Sequence, residues 1–79
     1  MRKKEKKQVI TFPSTTSAMA FESAAQAARQ PGRLVPVPHS IKAGCGMCWI
    51  CPLSEGEMVL SFAREAALLY EGVYTEMMF

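Results

Sequence analysis

The pattern of apolar and polar residues at the start of the chain predicts a strand followed by a helix. Residues 8–12, "QVITF", are rich in β-branched and aromatic side chains and end at Pro13, which is typical of a strand. An alanine-rich segment then predicts a helix over residues 15–29, and "QPG" (30–32) ends it. The N-cap candidates are Ser14, Thr15 and Thr16. The residues that share one helical face are Phe21, Ala24 and Ala28.

The middle of the chain predicts two more strands joined by a loop. "RLVPVP" (33–38) is an extended segment whose two prolines cannot donate to a strand ladder, so it belongs at a sheet edge. "HSIKAGCG" (39–46) is the loop, and "MCWICPL" (47–53) is an apolar strand that Pro52 closes.

The last third predicts a second helix and a fourth strand. "SEGE" (54–57) has the form of a capping box between Ser54 and Glu57, and the helix is expected to reach Tyr70. Gly72 suits the residue after the helix, and "VYTEMM" (73–78) is the last strand. The expected apolar helix face consists of Val59, Phe62, Ala66 and Leu69.

The order β-α-β-β-α-β predicts an α+β fold of the ferredoxin-like type, an antiparallel sheet with two helices on one face. The other sheet face has nothing from this chain to cover it in this arrangement. A partner protein or a second copy is therefore expected there, which makes a homodimer through the open face one hypothesis.

Composition and charge narrow the class of protein. The chain has 79 residues and a net charge of +2, most of it in the first seven residues. We expect a basic flexible tail over residues 1–7 and one domain over residues 8–79. No stripe of Lys or Arg suggests nucleic acid, and no apolar run suggests a membrane. An odd number of cysteines and the lack of a leader-like apolar stretch favour the cytoplasm.

Three cysteines within "CGMCWIC" (45–51) are the candidate chemistry, and three hypotheses fit them. A metal site could use the three thiolates with His39 as a fourth ligand. However, if 47–51 is a strand, Cys48 and Cys51 point to opposite faces and cannot share a metal. A redox pair could join Cys45 and Cys48, but no helix follows to lower a thiol pKa.

The third hypothesis is a single working thiol at Cys45. Gly44 and Gly46 add no bulk beside it, and their freedom at positive φ lets backbone N–H groups converge on an anion. Lys42 is close in sequence and would favour the thiolate. His39 could act as a base, and Cys48 could resolve an oxidised Cys45. Alternatively, Cys45 is an unreactive cysteine in a tight turn, and Cys48 and Cys51 are buried residues that only pack in the core.

Three segments resemble the selenium/sulfur (Se/S) carrier-like proteins, a family of small bacterial domains: "ITFPSTTSAMAFE", "PGRLVPVPHSIKAGCGMCW" and "YEGVY". The most specific pattern is R-L-[IV]-P-x-P-x-x-I-x-x-x-C-G, which runs here from Arg33 to Gly46. The resemblance covers roughly residues 8–76. It implies a compact α+β domain and singles out Cys45. It also implies small or apolar residues where Cys48 and Cys51 stand, and often arginine where His39 stands.

The leading hypothesis is a non-enzymatic carrier in sulfur or selenium metabolism that uses no cofactor. Cys45 would hold a persulfide or selenosulfide received from a cysteine desulfurase-like donor and pass it to an acceptor protein. Two other classes stay open. One is a protein-interaction module in which the cysteines are incidental, and the other is a cysteine-rich metal-binding module.

Overall fold

The computed structural model of the chain describes residues 3–42 and 44–78. Its four strands form one antiparallel sheet in the order β2-β3-β1-β4, which confirms the predicted ferredoxin-like fold. The elements are β1 (Glu5–Thr11), α1 (Thr15–Ala27), β2 (Arg33–Pro36), β3 (Met47–Pro52), a 3-10 turn (Leu53–Glu55), α2 (Gly56–Glu65) and β4 (Gly72–Met78). Neither helix is long and apolar enough, over the described residues, to cross a membrane.

The first strand begins at Glu5, three residues earlier than the sequence pattern predicts. Residues 5–7 of the predicted tail therefore belong to the sheet, where Glu5 pairs with Met78 and Lys7 with Pro52. Backbone hydrogen bonding between strands does not depend on the type of side chain. A charged segment at the end of a strand therefore resembles a flexible tail in the sequence. Residues 1–2 of that predicted tail, and residue 79 of the predicted domain, lie outside the described residues.

Helix α1 begins where the sequence predicts. Ser14 is the N-cap, and its hydroxyl accepts a hydrogen bond from the Ser17 N–H at 3.2 Å. The Ser17 hydroxyl in turn accepts from the Ser14 N–H at 3.2 Å, which completes a capping box. The helix ends two residues before the predicted limit, and Arg29 takes a left-handed φ of +56° immediately beyond it.

The predicted capping box of the second helix is wrong. Ser54 lies in the 3-10 turn, and α2 begins at Gly56 after an N-cap residue that makes no side-chain cap bond. Gly56 packs closely against Gln8, because a Cβ on Gly56 would lie 2.4 Å from the side-chain oxygen of Gln8. The Gln8 amide also donates to the Gly56 carbonyl at 3.1 Å.

Helix α2 is also shorter than predicted. It ends at Glu65, not near Tyr70, and Ala67 takes a φ of +54°. Gly72 does not follow the helix but opens β4. The buried helix faces are likewise shifted from the predicted ones. They consist of Ala18, Phe21 and Ala25 in α1, and Gly56, Val59 and Ala63 in α2.

Strand alternation divides the buried side chains between the two sheet faces. The helix-side cluster contains Ile10, Phe12, Trp49 and Cys51 of the sheet together with the buried residues Ala18, Phe21, Ala25, Val59 and Ala63 of the helices. The opposite cluster contains Val9, Ile41, Cys48 and Ile50. Both helices therefore pack on one face, as the fold class requires.

The face opposite the helices is partly covered by the β2–β3 loop, so the prediction that nothing in this chain covers it is wrong. We name residues 38–42 the strap. Ile41 in the strap is buried against Val9, Cys48 and Ile50. The Ile41 N–H donates to the Pro38 carbonyl at 3.0 Å, which closes a turn. The apolar surface left for a partner on this face is correspondingly smaller.

Candidate functional site

The Cys45 turn lies at the beginning of β3. The Val37 N–H donates to the Gly46 carbonyl at 3.0 Å and so extends the β2–β3 ladder by one step. Gly46 has a φ of +75°, a conformation that side-chain-bearing residues rarely adopt. This glycine therefore turns the chain from the loop into the strand and holds Cys45 immediately outside the sheet.

The Cys45 sulfur is held by the backbone of the residue that opens β3. The Met47 N–H donates to the sulfur at 3.4 Å, and the thiol donates to the Met47 carbonyl at 3.3 Å. Cys45 is half-buried and packs against the helix-side cluster. Loss of the thiol proton would break the second bond and leave the Met47 N–H as a donor to the thiolate.

Two glycines flank the thiol, and the structure separates their roles. A Cβ on Gly46 would meet nothing within 4 Å, so the space beside it is open. A Cβ on Gly44 would lie 3.4 Å from the carbonyl oxygen of Pro13, which is ordinary contact. Gly44 therefore lies against the turn that leads from β1 into α1, next to the N-cap Ser14.

This neighbour is what sequence reasoning missed. The sequence predicts no helix after Cys45, whereas the folded chain places the turn before α1, at Pro13, against Gly44 in the Cys45 turn. In the sequence, the "PSTTS" segment (13–17) predicts only the N-cap candidates of α1. The one available indication was that this segment and the cysteine both belong to the stretches that carry the family resemblance.

Cys48 is fully buried on the face opposite the helices. Its sulfur lies 3.9 Å from the Pro36 carbonyl oxygen. Burial raises the pKa of Cys48 from 9.0 to about 11, and the nearby Cys45 thiol adds to the rise. At neutral pH Cys48 is therefore a neutral, shielded thiol.

Cys51 is buried on the helix side, where the Gln8 amide nitrogen lies 3.9 Å from its sulfur. Burial raises the pKa of Cys51 to about 11, and the charge of Glu55 also raises it, while Lys7 and the Gln8 hydrogen bond act the other way. The predicted separation of Cys48 and Cys51 by strand alternation is confirmed. One metal ion cannot reach both sulfurs across the strand.

Metal binding by the cluster gains no geometric support. No group of three or more His, Cys, Asp or Glu side chains converges within the part of the chain that the structure describes. The three thiols are free.

His39 and Lys42 lie on the exposed side of the strap. Neither makes a hydrogen bond or ion pair with Cys45 among the described residues, and residue 43 of the predicted loop lies outside them. The hydrogen bonds to the sulfur come from Met47 instead. The strap itself is fixed by the Ser40 hydroxyl, which donates to the Glu76 carboxylate on β4 at 2.7 Å.

The fold and the thiol turn define a small α+β domain with one accessible loop cysteine. The chain belongs to the family described as "Putative Se/S carrier protein-like", whose model matches residues 7–75. Nearly the whole domain, including the Cys45 turn, is covered by this match. No curated protein and no solved structure gives a significant match to the chain.

Proposed function

We propose that the protein is a sulfur or selenium carrier in which Cys45 holds the cargo atom. The observation that carries this proposal is the difference in exposure: Cys45 is half-buried in an open turn, whereas Cys48 and Cys51 are buried in the sheet. Membership of the Se/S carrier-like family supports the carrier role.

Loading is a thiol exchange that needs no oxidant. The Cys45 thiolate attacks the terminal sulfur of a cysteine persulfide on a desulfurase-like donor. A sulfur–sulfur bond forms at Cys45, the donor's own sulfur–sulfur bond breaks, and the donor leaves as a thiolate. The product is a Cys45 persulfide. With a terminal selenium on the donor the same exchange gives a Cys45 selenosulfide.

Delivery reverses the roles. A thiolate of the acceptor protein attacks the terminal sulfur or selenium, and Cys45 leaves as the thiolate. The Met47 N–H at 3.4 Å stabilises the negative charge on Cys45 both as nucleophile and as leaving group. The protein is thus a carrier and not a catalyst, and no cofactor takes part in the exchange.

The residues around Cys45 have supporting roles in the proposal. The open space beside Gly46 admits the sulfur of a second protein, and Gly44 lies against Pro13 without a side chain between them. Lys42 and His39, exposed on the strap, are polar side chains that a donor or acceptor surface would meet. Cys48 acts as a resolving thiol only when β3 opens, since its sulfur is fully buried.

The setting proposed is the bacterial cytoplasm. Three unpaired thiols suit a reducing compartment, because glutathione and thioredoxin keep cytosolic thiols reduced.

The test is persulfide loading measured by intact mass. The wild-type chain is incubated with a cysteine desulfurase and cysteine, and in a second arm with selenocysteine. We expect the mass of one sulfur or selenium atom on the wild type and on Cys48→Ala and Cys51→Ala, but not on Cys45→Ala. Equal loading of Cys45→Ala would refute the proposal. It would favour instead an interaction module in which the cysteines are incidental.

A further inference from the structure

The outer edge of β4 is long and lacks the features that usually prevent another strand from pairing there. β4 is the last strand of the order β2-β3-β1-β4 and has seven residues, of which only Glu76 is charged. Three of its large side chains are well exposed, with Val73 and Tyr74 at 42% and Met77 at 54%. Natural sheet edges are usually protected by Lys, Pro, bulges or shortness. β4 has none of these features, and Glu76 is its one charged residue.

The opposite edge of the sheet is protected. β2 has four residues, begins with the exposed Arg33 and ends at Pro36, which has no N–H to offer. The open sheet face is partly occupied by the strap. Among the described surfaces, the β4 edge is therefore where extended backbone and exposed apolar side chains coincide.

We propose that β4 pairs antiparallel with β4 of a second copy, so that two sheets join into one of eight strands. In such a two-fold pair one residue must lie on the symmetry axis, because paired side chains have to face the same way. Placing Thr75 on the axis pairs all seven residues: Gly72 with Met78, Val73 with Met77, and Tyr74 with Glu76 of the other copy.

The neighbouring registers are worse. An axis through Glu76 sets two carboxylates directly opposite each other, which is destabilising. An axis through Tyr74 sets Met77 opposite Glu71, which lies outside β4. With Thr75 on the axis, the exposed Val73 of each copy meets the exposed Met77 of the other on the helix side of the sheet, since Val73 pairs with the helix-side Ile10. The strand sequence is thus self-complementary in one register.

The interface rests on one strand from each copy, so its size falls below the roughly 1,200 Å² at which stable interfaces begin. The dimer is therefore weak and depends on concentration, with a dissociation constant roughly in the micromolar range or weaker.

The dimer keeps the Cys45 thiols of the two copies apart. Cys45 lies at the Gly72 end of the sheet, and antiparallel pairing sends the two Gly72 ends in opposite directions.

The first test compares two variants that carry the same change in different places. Met77→Lys puts a charge on the β4 edge, and Met19→Lys puts it on α1, where Met19 is 60% exposed. In sedimentation equilibrium over a wide concentration range, we expect the wild type and Met19→Lys to dimerise and Met77→Lys to stay monomeric. Persulfide loading at Cys45 is expected to be equal in the three, since the dimer does not depend on the carrier role.

The second test reads the register by cross-linking in a Cys45→Ala background. Thr75→Cys places two thiols across the axis within disulfide reach, since opposite residues have Cβ atoms about 5 Å apart. Val73→Cys lies opposite Met77, so its two thiols are too far apart. We expect Thr75→Cys to form covalent dimers with oxidised glutathione and Val73→Cys not to. A wild type that is monomeric throughout, equal dimerisation of both lysine variants, or equal cross-linking of both cysteine variants would each overturn the proposal.

Discussion

Cys45, Cys48 and Cys51 differ in what surrounds each sulfur. Cys45 has an open glycine on one side and a backbone N–H at 3.4 Å. Cys48 lies under the strap, and Cys51 lies under the helices. Thiol chemistry depends on access and on the thiolate fraction, so these surroundings assign different reactivities to residues of the same type.

Alkylation of the native protein is expected to separate the three thiols. Cys45 should react with iodoacetamide near neutral pH at least about a hundredfold faster than the other two, because they react only after local opening. The measurement is quenched alkylation followed by peptide mass spectrometry. In concentrated urea the three rates should converge, and three equal rates without urea would contradict the assigned burial.

At the scale of elements, both helices end with a side-chain-bearing residue in the left-handed region. After α1 the Gln30 N–H donates to Ala25 at 2.8 Å, and after α2 the Leu68 N–H donates to Ala63 at 2.9 Å. These are the bonds of a Schellman motif, in which glycine is the usual left-handed residue. Here the positions hold Arg29 and Ala67.

Ala67→Gly is therefore expected to stabilise the protein. The left-handed conformation costs alanine roughly 1–2 kcal/mol, and the greater freedom of glycine in the unfolded chain offsets part of the gain. We expect a net rise of about 0.5–1 kcal/mol in the free energy of unfolding, measured by urea titration. Ala66→Gly is the matched control, since Ala66 has a φ of −85° and should lose stability instead.

The elements themselves were predictable, but several of their limits were not. Alternation and helical spacing are local properties, so the four strands and two helices follow from sequence, while the structure selects Ser14 from three N-cap candidates. At the start of α2, Gly56 contacts Gln8, a residue 48 positions away, and the capping box that the local pattern predicts does not form. The extension of β1 to Glu5 depends in the same way on the length of β4.

The candidate site was likewise only partly predictable from the sequence. Glycine spacing and strand alternation distinguish the three cysteines without any tertiary information, and the burial of Cys48 and Cys51 agrees with them. The role of Met47 and the approach of Pro13 arise from the folded chain and leave no local pattern. Ile41 lies in a loop that has neither strand alternation nor helical spacing, so its cover over Cys48 does not follow from local sequence.

For the whole molecule, two buried thiols make the free energy of unfolding depend on pH in the alkaline range. Cys48 and Cys51 each have a folded-state pKa raised from 9.0 to about 11, chiefly by burial. Above pH 9 the unfolded chain loses these protons while the folded chain keeps them, so the folded state binds more protons. Stability from these groups is therefore complete below about pH 9 and declines as the pH rises toward 11.

The size of this loss follows from the shift in pKa. Because the unfolded thiol is still half-protonated at pH 9, each thiol should contribute a decline of about 1 kcal/mol between pH 9 and pH 10, or about 2 kcal/mol for the pair. The comparison is with the double variant Cys48→Ala/Cys51→Ala, which differs from the wild type only at these two thiols. Urea titrations at several pH values should give a steeper fall for the wild type than for the double variant. Parallel curves would mean that both thiols ionise freely in the folded protein, against the burial that separates them from Cys45.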